Sequence, residues 1–213
     1  TPLKWHKELF SYSKKRGIKI FSTPFSEETI FFLEKLNCPA YKIASFEMND
    51  YNLVSVAAKT KKPLILSTGL SNIFEIDKAV EIAKKNGCKD LTLLYCVSNY
   101  PSNSNDFNLN FFRKFRKKYK CRVGLSDHSI GSKIASYSLI AGATVFEKHI
   151  GLKAQKKGLD LQFSSIGKEF RLYIEEIKKT FALIENKKIN RSEEEQKNKV
   201  LRRSIYAIKN IKK

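Results

Sequence analysis

Short apolar or β-branched runs alternate with helical stretches along most of this chain. The runs fall at Ile18–Ser22, Ala40–Ala44, Leu64–Ser67, Leu91–Cys96, Arg122–Ser126 and Thr144–Lys148. Between them, apolar residues recur at helical spacing over Ser26–Leu36, Asn52–Lys59, Ile73–Lys85, Leu109–Tyr119 and Ser132–Ala141, and Trp5–Lys15 precedes the first run. Single helices between strands predict parallel βα units. The runs are apolar on both faces, as strands are when helices cover them outside and side chains pack inside. Breakers sit where the alternation needs them: Gly17, Asn37-Cys38-Pro39, Lys62-Pro63 and Asn86-Gly87. The pattern predicts an α/β fold, a (β/α)8 TIM barrel that is incomplete, with about six of the eight strands present.

Past Asp160 a long helix is expected over Gly167–Glu185, with Phe170, Ile174, Ile177, Phe181 and Ile184 on one stripe. A charged stretch, Asn186–Lys199, follows. The expected division is a partial barrel domain over residues 1–185 and a charged linker over 186–213. A length of 213 residues with 42% hydrophobic content suits one substantial core. No apolar run approaches the roughly 20 residues that span a bilayer, and the N-terminus lacks a signal-peptide pattern, so a cytoplasmic protein without a membrane partner is expected. Cys38, Cys88, Cys96 and Cys121 have no CxxC spacing, which suits reduced thiols.

The net charge is +20, from 41 Lys and Arg against 21 Asp and Glu. It comes mostly from lysines scattered on helices, with no basic tail and no nucleic-acid motif. The excess reads as a solvated surface that also attracts anionic substrates, with no nucleic-acid partner; a basic nucleic-acid-binding module is the alternative.

Chemistry-bearing residues gather just after the runs. Gly124-Leu125-Ser126-Asp127-His128-Ser129 is answered by Phe146-Glu147-Lys148-His149, with one predicted helix between. Each histidine therefore stands at the same end of adjacent strands, where the loops of a barrel converge. Two imidazoles there suit a divalent metal; each equally suits a lone histidine at a strand end. Thr23, Ser45, Ser67-Thr68-Gly69, Ser98, Tyr100 and Ser126 belong to the same mouth. Hydroxyls and a glycine turn suit a phosphate ester, although a serine after a strand often simply caps the next helix. Lys42, inside Tyr41-Lys42-Ile43, is costly in a barrel interior unless it meets an anion; otherwise it is a snorkelling surface lysine. Glu47 suits proton transfer or orientation of a hydroxyl.

Phe21-Ser22-Thr23-Pro24-Phe25, Tyr41 to Asp50, Leu66-Ser67-Thr68-Gly69, Gly124 to His128 and Glu147-Lys148-His149 together resemble the sialic acid synthase family. The resemblance covers residues 1 to about 207. Ala44-Ser45-Phe46-Glu47-Met48-Asn49-Asp50, with Thr1-Pro2 and Trp5-His6, looks most like its pseudaminic acid branch. The resemblance implies condensation of phosphoenolpyruvate with an open-chain N-acetylated amino sugar, best matched by 2,4-diacetamido-2,4,6-trideoxy-altrose, to give a nonulosonic acid and phosphate. N-acetylneuraminate and legionaminate synthases are the alternatives. It implies His128 and His149 as ligands of Mn2+ or Mg2+, and Thr23, Lys42, Ser45, Ser67, Ser98 and Ser126 as holding the phosphate and carboxylate of phosphoenolpyruvate. It implies Glu47 beside the reacting carbons, and Tyr100 and Asp160 against the sugar.

The family's first βαβ segment and its C-terminal antifreeze-like (SAF) domain, which completes the sugar site across a homodimer, have no counterpart in these 213 residues. The 213 residues alone are therefore expected to have little activity and poor solubility; a non-catalytic relative is the remaining alternative. Tyr95 and Val97 depart from the family's usual residues around Cys96.

Overall fold

The computed structural model describes residues 1–155, 157–185 and 191–212. Helix α1 (Leu3–Lys15) comes first and has no side-chain cap. The next three helices begin on caps written into the sequence. Ser26 accepts from the Thr29 N–H to open α2 (Glu27–Lys35), and Asp50 from the Leu53 N–H to open α3 (Tyr51–Lys59). Asn72 and Glu75 form a reciprocal capping box at α4 (Ile73–Lys85).

Five parallel strands lie in sequence order in one sheet: β1 (Tyr41–Ile43), β2 (Leu64–Ser67), β3 (Leu91–Cys96), β4 (Arg122–Asp127) and β5 (Val145–Lys148). Helices α5 (Asn110–Tyr119) and α6 (Lys133–Ile140) complete the βα alternation. Lying flat, five strands would hold β1 and β5 about 19 Å apart. Yet Lys42 Nζ on β1 is 3.2 Å from Glu147 Oε1 on β5. The sheet is curled into a half-barrel, and that curl brings residues of its two edges into one site.

The strand register sorts residues by face. Tyr41 and Ile43 pair with Leu64 and Leu66, which pair with Leu91 and Leu93; Leu93 pairs in turn with Val123. These residues point outward and are buried in one core with Ile30, Leu33, Leu53, Val54, Ile76, Val80 and Phe112 of the surrounding helices. Each such side chain contributes about 1.5–3 kcal/mol by leaving water. The alternate residues, Lys42, Ser67, Cys96, Ser126 and Glu147, face the hollow of the curl.

Three expectations are corrected. Ile18–Ser22 is not a strand, so the sheet has five strands rather than six. A strand persists only where a neighbour takes its N–H and C=O groups, and among the described residues no segment pairs with this one. A short pair not anticipated from the pattern, β6 (Ile150–Gly151) and β7 (Ser165–Ile166), follows β5. The long helix, α7 (Lys168–Glu185), buries Tyr173 and Thr180 and half-buries Ile174 and Ile177. Phe181 and Ile184, placed on its buried stripe by periodicity, are 47% and 48% exposed. The reason is the small-residue contact with α6, where Thr180 Oγ1 donates to Ser136 Oγ at 3.2 Å.

Of the stretch 186–213, residues 186–190 and 213 lie outside the described residues. Residues 191–212 are exposed and include a short helix, α8 (Glu193–Lys197), followed by a 3-10 turn at Asn198–Leu201. Among the described residues no helix is long and apolar enough to cross a membrane.

Candidate active site at the mouth of the half-barrel

The register explains why the two histidines meet. Ser126 pairs with Glu147 and Asp127 with Lys148, so His128 and His149 are the next opposed positions. Period-two alternation turns Ser126, His128, Glu147 and His149 inward and Asp127 and Lys148 outward. The imidazole centroids are 5.4 Å apart. Tyr100 packs on His128 at 4.3 Å, and Phe163 lies 5.1 Å from His149 and 5.2 Å from Tyr100.

His128 is set up as a neutral donor of a lone pair. Its Nδ1 is 3.2 Å from the Val97 carbonyl, which can only accept, so Nδ1 carries the proton and Nε2 is free. Burial holds its pKa below the usual imidazole value, with the nearby His149 acting in the same direction. His149 Nδ1 lies 3.5 Å from Asp160 Oδ2, which places Asp160 at this end of the site. Among the described residues no group of three or more His, Cys, Asp or Glu converges as a metal site. Two imidazoles on adjacent strand ends are still a donor set suited to a divalent cation, with water and substrate oxygens in the remaining positions.

Deeper in the hollow, Lys42 and Ser126 both meet Glu147: Nζ at 3.2 Å, and Ser126 Oγ donating at 2.6 Å. A second cluster forms around Gly69. Its N–H donates to Cys96 Sγ at 3.1 Å, and Ser45 Oγ is 3.0 Å from the same sulfur. A side chain at position 69 would put its Cβ 2.7 Å from Cys96 Sγ and 2.8 Å from Ser45 Oγ, and closer still to Ser98 Oγ. Only glycine leaves room here. Burial pushes the Cys96 thiol pKa up, so it stays protonated. Ser67 Oγ, Ser98 Oγ and Glu47 Oε2 are buried with no hydrogen-bond partner among the described residues. Unpaired buried polar atoms are costly, and three around one hollow mark where an incoming ligand's polar groups belong.

The structure thus brings together Lys42, Ser45, Ser67, Ser98, Tyr100, Ser126, His128, His149 and Asp160, with Glu47 in the turn after β1. Thr23 stands apart: it is half-buried in the irregular segment before α2, without a side-chain hydrogen bond to any of the others. Three participants carry no assignment from the sequence. Glu147 was visible beside His149, but its pairing with Lys42 depends on the curl. Cys96 reads as an ordinary buried thiol, and Phe163 as loop. The register alone could have placed Glu147 on the inner face.

Comparison with known proteins follows these residues. Relatives that match the whole of this chain include a pseudaminic acid synthase of Campylobacter jejuni, 39% identical over 213 residues, and one of Helicobacter pylori, 40% identical over 215. The chain spans 62% and 63% of their lengths. An N-acetylneuraminic acid (sialic acid) synthetase from Leptospira borgpetersenii, solved with citrate, superposes with a TM-score of 0.84 at 31% identity, covering 95% of this chain and 73% of that one. The NeuB family pattern matches residues 1–189. With the curled parallel sheet and its paired histidines, these matches show that the chain belongs to the NeuB family.

Proposed function

We propose that this mouth serves the condensation of phosphoenolpyruvate with an open-chain N-acetylated amino sugar and water, giving a nonulosonic acid and phosphate. The observation that carries the reading is the meeting, across one hollow, of a lysine with unpaired buried hydroxyls and a pair of imidazoles. An anion that is also a carbon nucleophile fits the first group, and a polarised carbonyl fits the second. The 39–40% identity to pseudaminic acid synthases favours 2,4-diacetamido-2,4,6-trideoxy-altrose as the sugar.

Residue roles follow from position. Lys42 and the hydroxyls of Ser45, Ser67, Ser98 and Ser126 hold the phosphate and carboxylate, and a part for Thr23 among them rests on the family resemblance alone. Glu147 fixes Lys42 and Ser126 before substrate arrives, which spares their reorganisation later. Close approach at Gly69 lets its backbone serve as part of the anion cradle. His128 and His149 would hold Mn2+ or Mg2+, which supplies Lewis acidity toward a carbonyl oxygen. Tyr100 and Asp160 line the sugar side.

As C3 of phosphoenolpyruvate bonds to the aldehyde carbon, C2 loses its π electrons and water adds there. Glu47 Oε2 takes one proton from that water and passes it on to the aldehyde oxygen. The second proton goes to the departing oxygen as the C2–O bond breaks and phosphate is released. Holding both reactants in one hollow removes much of the entropic barrier to their meeting.

The reaction belongs to the whole protein. We assign residues 1–185 to its barrel and 186–213 to a linker toward an antifreeze-like domain, and place the protein in the cytosol as a homodimer. The test is incubation of the longest reading frame carrying these residues with phosphoenolpyruvate, Mn2+ and each candidate sugar, read by product mass. A nine-carbon acid from the altrose derivative is expected. Preference for the mannose-derived or legionaminic-type precursor would move the protein to those branches, and no product from any sugar would leave a non-catalytic relative.

A further inference from the structure

Behind the histidines, on the outer face of the same two strands, lies a charged network that the proposed chemistry does not use. Asp127 and Lys148 are opposed in the β4–β5 register, with side chains 0% and 3% exposed and Oδ2 and Nζ 3.5 Å apart. Asp127 Oδ1 accepts from the Ser129 N–H at 2.9 Å and from the Ser129 hydroxyl at 2.6 Å. Lys148 Nζ donates to the Ser129 carbonyl and sits 5.5 Å above the ring of Tyr173 on α7. Asp127 and Ser129 flank His128 in the chain, and Lys148 directly precedes His149.

Such a network is a poor way to gain stability. Dehydrating two charges offsets most of their attraction, and apolar residues of similar size often hold a fold as well or better. The rest of this face is apolar: Val123, Leu125 and Phe146. What charge adds here is direction. A slip of one residue between β4 and β5 would turn His149 to the opposite face from His128. An apolar pair tolerates small shifts, whereas Lys148 reaches both Asp127 and the Ser129 carbonyl in one register only.

We propose that Asp127, Lys148 and Ser129 form a clamp on the back of the sheet that fixes the spacing of the His128 and His149 imidazoles. They are positioning residues. Their use in catalysis rests on the function proposed above, whereas the geometric claim stands independently.

The experiment compares the longest reading frame carrying these residues with its Lys148→Met variant, in which an unbranched apolar side chain replaces the cation. Two readouts are taken: through-space magnetisation transfer between the two isotope-labelled imidazoles, and Mn2+ affinity by electron paramagnetic resonance. The clamp predicts that Lys148→Met stays folded, loses the inter-ring signal and binds Mn2+ about tenfold or more weakly, and that Lys148→Arg restores much of both. Retention of the inter-ring signal in Lys148→Met overturns the clamp. A wild-type chain that shows the signal but binds no Mn2+ overturns the metal reading instead, while the signal still decides the clamp. Should Lys148→Met not fold, Ser129→Ala, which removes one hydrogen bond, makes the same comparison: a weakened signal supports the clamp and an unchanged one contradicts it.

Discussion

The inner and outer faces of β3, β4 and β5 come from alternating residues of the same short segments, yet they do different work. Outward, Leu91, Leu93, Val123 and Leu125 join the helices in a closed apolar core. Inward, Cys96, Ser126, Glu147 and the histidines line a hollow together with Ser67 and Ser98, whose buried hydroxyls have no hydrogen-bond partner among the described residues. Stability therefore resides on one face and the proposed binding on the other. Substitutions should separate the two, except where the charged Asp127–Lys148 pair links them through the strands.

The largest expected effect is on the outer side. Phe112→Ala, at a fully buried ring of α5, should cost about 3–5 kcal/mol of stability in denaturant titration. A loss under about 1 kcal/mol would mean the core is not where the burial places it. On the inner side, His128→Ala should abolish Mn2+ binding while shifting stability by no more than about 1 kcal/mol. Unfolding of that variant would break the division between faces. Gly69→Ala should weaken phosphoenolpyruvate binding about tenfold, roughly 1.4 kcal/mol, because its Cβ would crowd Ser45, Cys96 and Ser98. Isothermal titration reads this directly, and unchanged affinity would remove Gly69 from the cradle.

The smallest effect belongs to a surface link between α4 and α5. Asp77 pairs with Lys118 at 2.7 Å and accepts from the Tyr119 hydroxyl at 2.8 Å. The hydrogen bond from Lys118 leads in lowering its pKa, against a small opposing effect of burial. A carboxyl with a depressed folded pKa contributes stability that is present above its unfolded pKa near 3.9 and is lost as pH falls through the folded value. Both groups are more than 40% exposed, so Asp77→Asn should cost under about 1 kcal/mol at pH 7 and almost nothing in strong acid. An equal cost at both pH values would exclude the charge as its source.

Much of the architecture was legible in the pattern of the chain. Leu64–Ser67 and Leu91–Cys96 are strands over the spans their apolar runs suggest, because both faces of a covered parallel strand are dry. Ile73–Lys85 is a helix over the span its apolar spacing suggests, opened by the Asn72–Glu75 box. Ile18–Ser22 misled because an apolar run predicts a strand without supplying its neighbour. The α7 stripe misled because periodicity gives a face and not its depth: Thr180, small enough to reach Ser136, is buried where Phe181 is not.

At the site, the two histidines and the hydroxyls could be read from position after each strand. The Lys42–Glu147 contact could not, since 104 residues of chain and the curl of the sheet lie between them. Nor could the Asp127–Lys148 pair, which becomes visible only once the β4–β5 register sets one against the other.

The most direct test of the proposed chemistry follows the bridging oxygen of phosphoenolpyruvate, labelled with 18O, during reaction with the altrose derivative and Mn2+ on the longest reading frame. Attack by C3 followed by C–O cleavage predicts that the label leaves in inorganic phosphate, with one nonulosonic acid formed per phosphate released. Label retained in the organic product, or phosphate released with no sugar acid formed, would contradict it.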